Sequence, residues 1–234
     1  MVFKNDYLEL IGTPKGKPIT RPELKKAKIG INGLVFRSYN ITRTYQHLLN
    51  IKMSNIPPRN FSRPVKINGI EKEAVFETVS IKENIFKAGR IYFCDHLTSN
   101  LVWIPQYISH KNNVLGITEI TIIDSNPLLV LENINKINDR IKIDKQENVI
   151  TIKTDDIKIS IQDKKSFKKR YKNFGEEINL RKEMFGSLTF KTSSFLFLRK
   201  IKQINFHNLL KFEDENKIQI LLKDYNLTLE FIMI

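Results

Sequence analysis

The C-terminal half of the sequence lays out one order of elements twice, and such a repeat restricts a fold more than any single residue does. The first copy spans residues 116–162. A β-like run at 117–123 leads into a helix opened by Asp124, Ser125, Asn126 and Pro127, and β-like runs follow at 140–144, 149–154 and 157–162. The second copy spans 186–234. A run at 187–192 leads into a helix opened by Ser193 and Ser194, with further runs at 209–212, 217–223 and 227–234. The copies share little identity. What they share is a strand, a helix started by short polar side chains, and three strands.

The N-terminal half carries the unit less clearly. A weak strand at 2–11 is followed by a loop at 12–22 that holds Pro14, Pro18 and Pro22. A short helix follows at 22–27, then strands at 28–31, 34–38 and 45–53, with Asn32-Gly33 as a hairpin signal. Residues 54–64 hold three prolines and read as a surface loop. A second unit has a strand at 73–79, a helix from Ser80 through Ala88 with Gly89 just past its end, and strands at 90–94 and 100–104. The expected fold is α+β. Four strand–helix–three-strand units form two similar domains, 1–106 and 116–234, joined by a connector at 107–115, with helices on one face and sheets on the other.

Charge narrows the partners. Lys and Arg number 39 against 25 Asp and Glu, a formal net charge of +14. Such a field attracts polyanions, nucleic acid first among them. The basic residues of the expected helices fall off their apolar stripes: Lys25, Lys26 and Lys28; Lys82, Lys87 and Arg90; Lys136; Arg199, Lys200 and Lys202. Helices packed on one side of a sheet would merge these into a basic strip that holds phosphates without reading bases. The densest basic run, 164–172, interleaves Phe167 and Tyr171. That mix suits backbone contact with base stacking, a localisation signal, or a solvated loop between the two C-terminal units.

Catalytic signals are weak. Cys94 is the only cysteine, so no internal disulfide forms. Cys94 with His96 lacks the further ligands of a zinc site and reads as a packed strand pair. His96, Asn100, His110 and Asn113 resemble an HNH nuclease only faintly, because too few residues separate His96 from Asn100. The acidic clusters at 155–156, 176–177 and 213–215 read as turns. No phosphate-cradling glycine loop is present. No apolar run approaches a membrane span, and no N-terminal targeting segment stands out. The expectation is an intracellular protein with no catalytic residue, metal or cofactor.

Three stretches resemble the sliding DNA clamps of the proliferating-cell-nuclear-antigen type. Residues 33–43 are similar to that family's early hairpin, with Asn40 where the family has aspartate. Leu101, Val102, Trp103, Ile104, Pro105, Gln106 and Tyr107 are similar to its interdomain connector, and 217–234 to its closing hairpin. The resemblance implies two clamp-like domains and a non-enzymatic processivity factor. Such a factor tethers a DNA polymerase or transcription complex to duplex DNA through nonspecific backbone contact. A clamp-like viral processivity or transcription factor has the same features. The resemblance also implies a partner dock at Trp103, Ile104, Pro105 and Tyr107 with Ile232 and Ile234, and a homo-oligomer if a ring closes. An RNA-binding or ribosome-associated protein and an HNH-like nuclease are the alternatives.

Overall fold

A computed structural model describes residues 1–13, 15–19, 22–138, 141–154, 157–201 and 208–234. After a short helix α1 (Pro22–Lys25), the chain builds three strand–helix–three-strand units. The first is β1 (Gly33–Ser38), α2 (Ile41–Asn50), β2 (Arg59–Ile67), β3 (Ile70–Ser80) and β4 (Arg90–His96). The second is β5 (Val114–Ile123), α3 (Pro127–Ile137), β6 (Lys142–Gln146), β7 (Val149–Lys153) and β8 (Lys158–Gln162). A helix α4 (Lys164–Arg170) intervenes. The third is β9 (Met184–Thr192), α5 (Leu196–Arg199), β10 (Leu209–Glu213), β11 (Lys217–Leu222) and β12 (Leu227–Met233).

In each unit the first strand pairs parallel with the last: β1 with β4, β5 with β8, β9 with β12. The helix between first and second strands makes the reversal a parallel return requires. Unit one is a four-stranded sheet, β1-β4-β3-β2. Units two and three join through antiparallel β5 and β9 into an eight-stranded sheet, β10-β11-β12-β9-β5-β8-β7-β6. One apolar core runs from Leu48 on α2 and Ile91 on β4, through Val130 and Ile134 on α3, to Ile122, Ile161 and Leu188 of the large sheet. His47 Nε2 donates to Lys136 O at 3.0 Å, joining α2 to the end of α3.

This assembly overturns the clamp-like fold class. The helices do not share one face. Helix α3 packs on the face of β5 that carries Ile122, while α4 covers the opposite face through Ile123. Helix α4 occupies the basic run that could have been a loop. Asp163 caps it, Oδ1 accepting from Ser166 N at 2.7 Å, and Phe167 and Tyr171 are fully buried.

Several local expectations change as well. Residues 41–50, expected as part of a polar link and a strand, form α2. Asn40 caps it, accepting from Arg43 N at 2.9 Å, and Ile41 and Leu48 are buried seven residues apart on one helical face. The expected helix at 80–88 is absent: β3 runs to Ser80, and Ile81 N then donates to Ile91 O, holding the chain extended beside β4. The expected loop at 54–64 is largely β2. Its Pro64 is tolerated because β2 is an edge strand, and the β2–β3 turn uses Asn68 and Gly69 at positive φ. Asn32-Gly33 makes no hairpin; Gly33 opens β1 against Arg90. The described residues of 1–28 supply no fourth unit, only a turn closed by a Val2–Tyr7 bridge and the short α1.

Candidate functional site

Each sheet has one apolar face in the common core and one face rich in polar side chains. On the four-stranded sheet the register fixes that second face. Arg37, Cys94, Thr78 and Arg59 are aligned across β1, β4, β3 and β2, and His96, Phe76 and Phe61 form the next row. The reverse face carries Phe36, Phe93 and Val79, which pack into the core.

The N-terminal turn covers one edge of the polar face. Phe3 N donates to Asp6 O and Leu8 N to Met1 O, which bends residues 1–8 back on themselves. Asp6 Oδ1 then accepts from Ile117 N at 3.1 Å, pinning the turn to β5. Tyr7 is thereby held with its hydroxyl 3.5 Å from His96 Nε2. Trp103, after the 3-10 turn Ser99–Leu101, stacks edge-on to His96 at 4.9 Å and to Tyr7 at 5.9 Å. The Arg37 guanidinium lies 4.8 Å over the ring of Tyr39 and 5.0 Å over that of Trp103, with no carboxylate partner among the described residues.

Two features mark the cluster as more than packing. His96 Nδ1 and Trp103 Nε1 are both buried without a hydrogen-bond partner among the described residues. Such orphans are rare in native interiors and concentrate where a function needs them. Burial lowers the His96 pKa below the usual 6.5; the Arg37 charge lowers it further and Asp95 opposes. The imidazole is therefore a neutral base at neutral pH. Burial, then Asp95 and Glu9, push the Cys94 thiol up to about 12, and its sulfur lies 3.9 Å from His96 Nε2. Burial, then Cys94, Tyr92 and Glu9, also raise the Tyr7 hydroxyl above its ordinary value.

The polar face of the eight-stranded sheet is closed. Gln219, Glu230, Thr189 and Glu119 are aligned across β11, β12, β9 and β5. Arg170, at the end of α4, donates Nη1 to Glu119 Oε1 and Nη2 to Glu230 Oε1, the latter at 2.7 Å. Tyr171 donates to Ser187 Oγ at 3.0 Å.

The expected basic strip is distributed as follows. Lys25 ends α1, with Lys26 and Lys28 beyond it, all exposed. Lys82 and Lys87 lie in the β3–β4 connection, and Lys82 Nζ donates to Lys52 O at 2.8 Å. Arg90 opens β4, 5.5 Å over Tyr92. Lys136 is in the last turn of α3, Arg199 pairs with Glu213 at 2.5 Å, and Lys200 follows α5. Lys202 is outside the described residues. Of the expected dock, Trp103 sits by Tyr7 and His96, Ile104 is buried, and Pro105 opens a 3-10 turn that ends at exposed Tyr107. Ile232 and Ile234 instead lie at the end of β12, where Ile234 N donates to Thr192 O. Tyr7 and Arg37 were not singled out by sequence. Arg37 is a charged residue on a β-like run, which is the signal that could have found it.

The HNH-like pair does not assemble: His110 Nε2 donates to Val2 O at 2.7 Å and stacks on Phe3, away from the ring contacts of His96. Glu176 and Glu177 pair with Lys168 and Lys223, and Asp214 caps the turn at Asn216 and Lys217. Asp155 and Asp156 are outside the described residues.

The sequence profile of a family described as a glyoxalase-like domain matches residues 1–137. A solved structure of a hypothetical protein from Staphylococcus aureus superposes with a TM-score of 0.59 at 11% identity. The match covers 87% of this chain and 66% of that one, so this chain spans just under two thirds of that protein's length. A mutant of 4-hydroxymandelate synthase from Streptomyces coelicolor aligns over 87% of this chain and 71% of its own, at 11% identity and a TM-score of 0.42. No curated protein matches the sequence.

These findings replace the sliding-clamp resemblance, and with it the clamp, processivity and viral-factor readings. Duplex DNA, a polymerase and a transcription factor are withdrawn as partners, and the RNA-binding and nuclease alternatives gain no support. Proteins of the glyoxalase-like fold are mostly enzymes, which conflicts with the expectation of a non-catalytic chain. They are also typically metal-dependent. Among the described residues the donors do not fit a resident metal. No three His, Cys, Asp or Glu side chains of the described residues are grouped to hold one, and the Glu119–Glu230 pair is already bonded to Arg170.

Proposed function

The chain belongs to the glyoxalase-like domain family, and from that premise we propose that it is an enzyme acting on a small organic anion at the polar face of the four-stranded sheet. The observation that carries the reading is the buried His96, with an orphaned Nδ1, beside an Arg37 guanidinium that has no carboxylate partner among the described residues. Arg37 binds the anionic group, since a guanidinium presents paired donors to a carboxylate. Trp103 and Tyr39 hold that guanidinium in place by stacking. Phe76 and Phe61, stacked 5.1 Å apart, extend an apolar wall for the rest of the molecule. Neutral His96 takes a proton from the bound acid, and the Tyr7 hydroxyl next to its ring steadies the charge that develops on the imidazole.

The test is exchange of solvent deuterium into the carbon-bound protons of small 2-oxo and 2-hydroxy acids, followed by proton NMR. The wild-type protein should catalyse exchange into at least one acid, and His96→Gln should abolish it. Equal exchange with both proteins, or none above the uncatalysed rate across the panel, would refute the proposal.

A further inference from the structure

The closed face of the eight-stranded sheet carries a second arrangement that the proposed reaction does not use. Glu119, Thr189, Glu230 and Gln219 form one polar row across four adjacent strands. The carboxylates are largely withdrawn from water, with side chains 15% and 7% exposed. Two buried negative charges in one row repel and lose hydration, so a row of this kind requires a cation. Arg170 supplies it. Its Nη1 bonds Glu119, and its Nη2 bonds Glu230 at 2.7 Å and Thr189 Oγ1 at 3.3 Å. Glu230 Oε2 is taken by Gln219 Nε2 at 2.6 Å. Gln219 is fully buried, and its own Oε1 has no partner among the described residues, so the row holds an oxygen ligand that the guanidinium does not reach.

We propose that Arg170 is a tethered cation standing in a two-carboxylate cation site, so that withdrawing its side chain leaves a site for a divalent metal ion or a free guanidinium ion. Helix α4 is the tether. Its cap at Asp163 and its buried Phe167 fix the last turn over the sheet, which places the guanidinium between the two acids. The oxygen donors left in the row are Glu119, Glu230, Thr189 and Gln219, a hard set that suits Mn²⁺ or Mg²⁺ better than softer ions. The inference does not depend on the reaction proposed for the four-stranded sheet.

The experiment is a Mn²⁺ titration by electron paramagnetic resonance on the wild type, on Arg170→Ala, and on Arg170→Ala combined with Glu230→Gln. Arg170→Ala should bind one Mn²⁺ per chain at least about tenfold more tightly than the wild type, and the second substitution should abolish the gain. Melting of Arg170→Ala should also rise in about 10 mM guanidinium, a concentration that leaves the wild type unchanged. If Arg170→Ala does not fold alone, Arg170→Gln is the second variant, and recovery of fold by Mn²⁺ or guanidinium is the supporting result. A folded variant that takes neither ion, or an unfolded one that neither restores, would overturn the proposal. So would wild-type binding of stoichiometric Mn²⁺ that Glu230→Gln removes.

Discussion

Replacing Phe167 with alanine tests whether the basic run 164–172 is an inward-facing element or a charged surface. Phe167 is fully buried, its ring 4.7 Å from that of Tyr171, in a cluster with Ile123, Phe174 and Met184. Truncating a buried phenylalanine costs about 3–5 kcal/mol, from lost transfer energy and the space left behind. The lysines beside it are a contrast. Lys168 pairs with Glu176 at 2.8 Å and Lys169 with Glu147 at 3.9 Å, and both acids are mostly exposed. Such pairs are worth about 0–1 kcal/mol each. Phe167→Ala should therefore lower the Tm by roughly 6–20 °C, taking about 2–4 °C per kcal/mol for a chain of this size. Lys168→Ala with Lys169→Ala should stay within a few degrees. Urea unfolding at unchanged slope measures both. If the double lysine variant lost as much as Phe167→Ala, or Phe167→Ala lost under about 1 kcal/mol, the inward seating of α4 would be refuted.

Three further outcomes follow from the same geometry. A Cβ on Gly186 would lie 2.7 Å from both Ile123 Cδ1 and Phe167 Cε2, so Gly186→Ala should cost about 1–3 kcal/mol by overpacking, read in the same urea assay. With the Cys94 thiol pushed up to about 12, native protein at pH 8 should react with a disulfide reagent orders of magnitude more slowly than urea-unfolded protein; equal rates would contradict its burial. Because burial, helped by Arg37, lowers the His96 pKa below 6.5, the unfolded chain takes up a proton near pH 6.5 that the folded chain takes up only at lower pH. The His96 share of stability is thus full above about pH 6.5 and is lost as pH falls toward its folded pKa. His96→Gln should flatten that part of the curve of unfolding free energy against pH, and an unchanged slope would count against it.

Local elements were legible where both a cap and a period are present. In the second unit Asn126 caps α3, accepting from Leu129 N, and Leu131 and Ile134 lie on its buried face as their spacing predicts, while Leu128, expected on the same stripe, is exposed in the first turn. In α2 the same signals exist, but Ile41, Thr42, Thr44 and Tyr45 favour strands, and packing of Leu48 into the core decides the matter. Pro64 argued for a loop because its edge position depends on the strand order, which is a long-range fact. The assembly was not legible at all. A strand–helix–three-strand unit is compatible with more than one sheet arrangement, and the parallel pairing of first and last strands joins residues as distant as Gly33 and Arg90. Charge misled for a related reason: a net +14 describes exposed side chains as a sum, while the one arginine that organises a sheet, Arg170, faces inward among carboxylates. His96 and Trp103 stand out in the sequence only separately, as a nuclease-like histidine and a docking residue, and Tyr7 and Arg37 not at all, because the fold alone brings the four together.

The sequence contains one tryptophan, Trp103, and it lies within the proposed site. Its fluorescence, titrated with a panel of small carboxylic acids, tests the central claim most directly. At least one acid should change the emission saturably in the wild type, and Arg37→Ala should abolish the change while the far-ultraviolet circular dichroism stays the same. No saturable change with any acid, or the same titration curve in Arg37→Ala, would contradict an organic-anion site on this face.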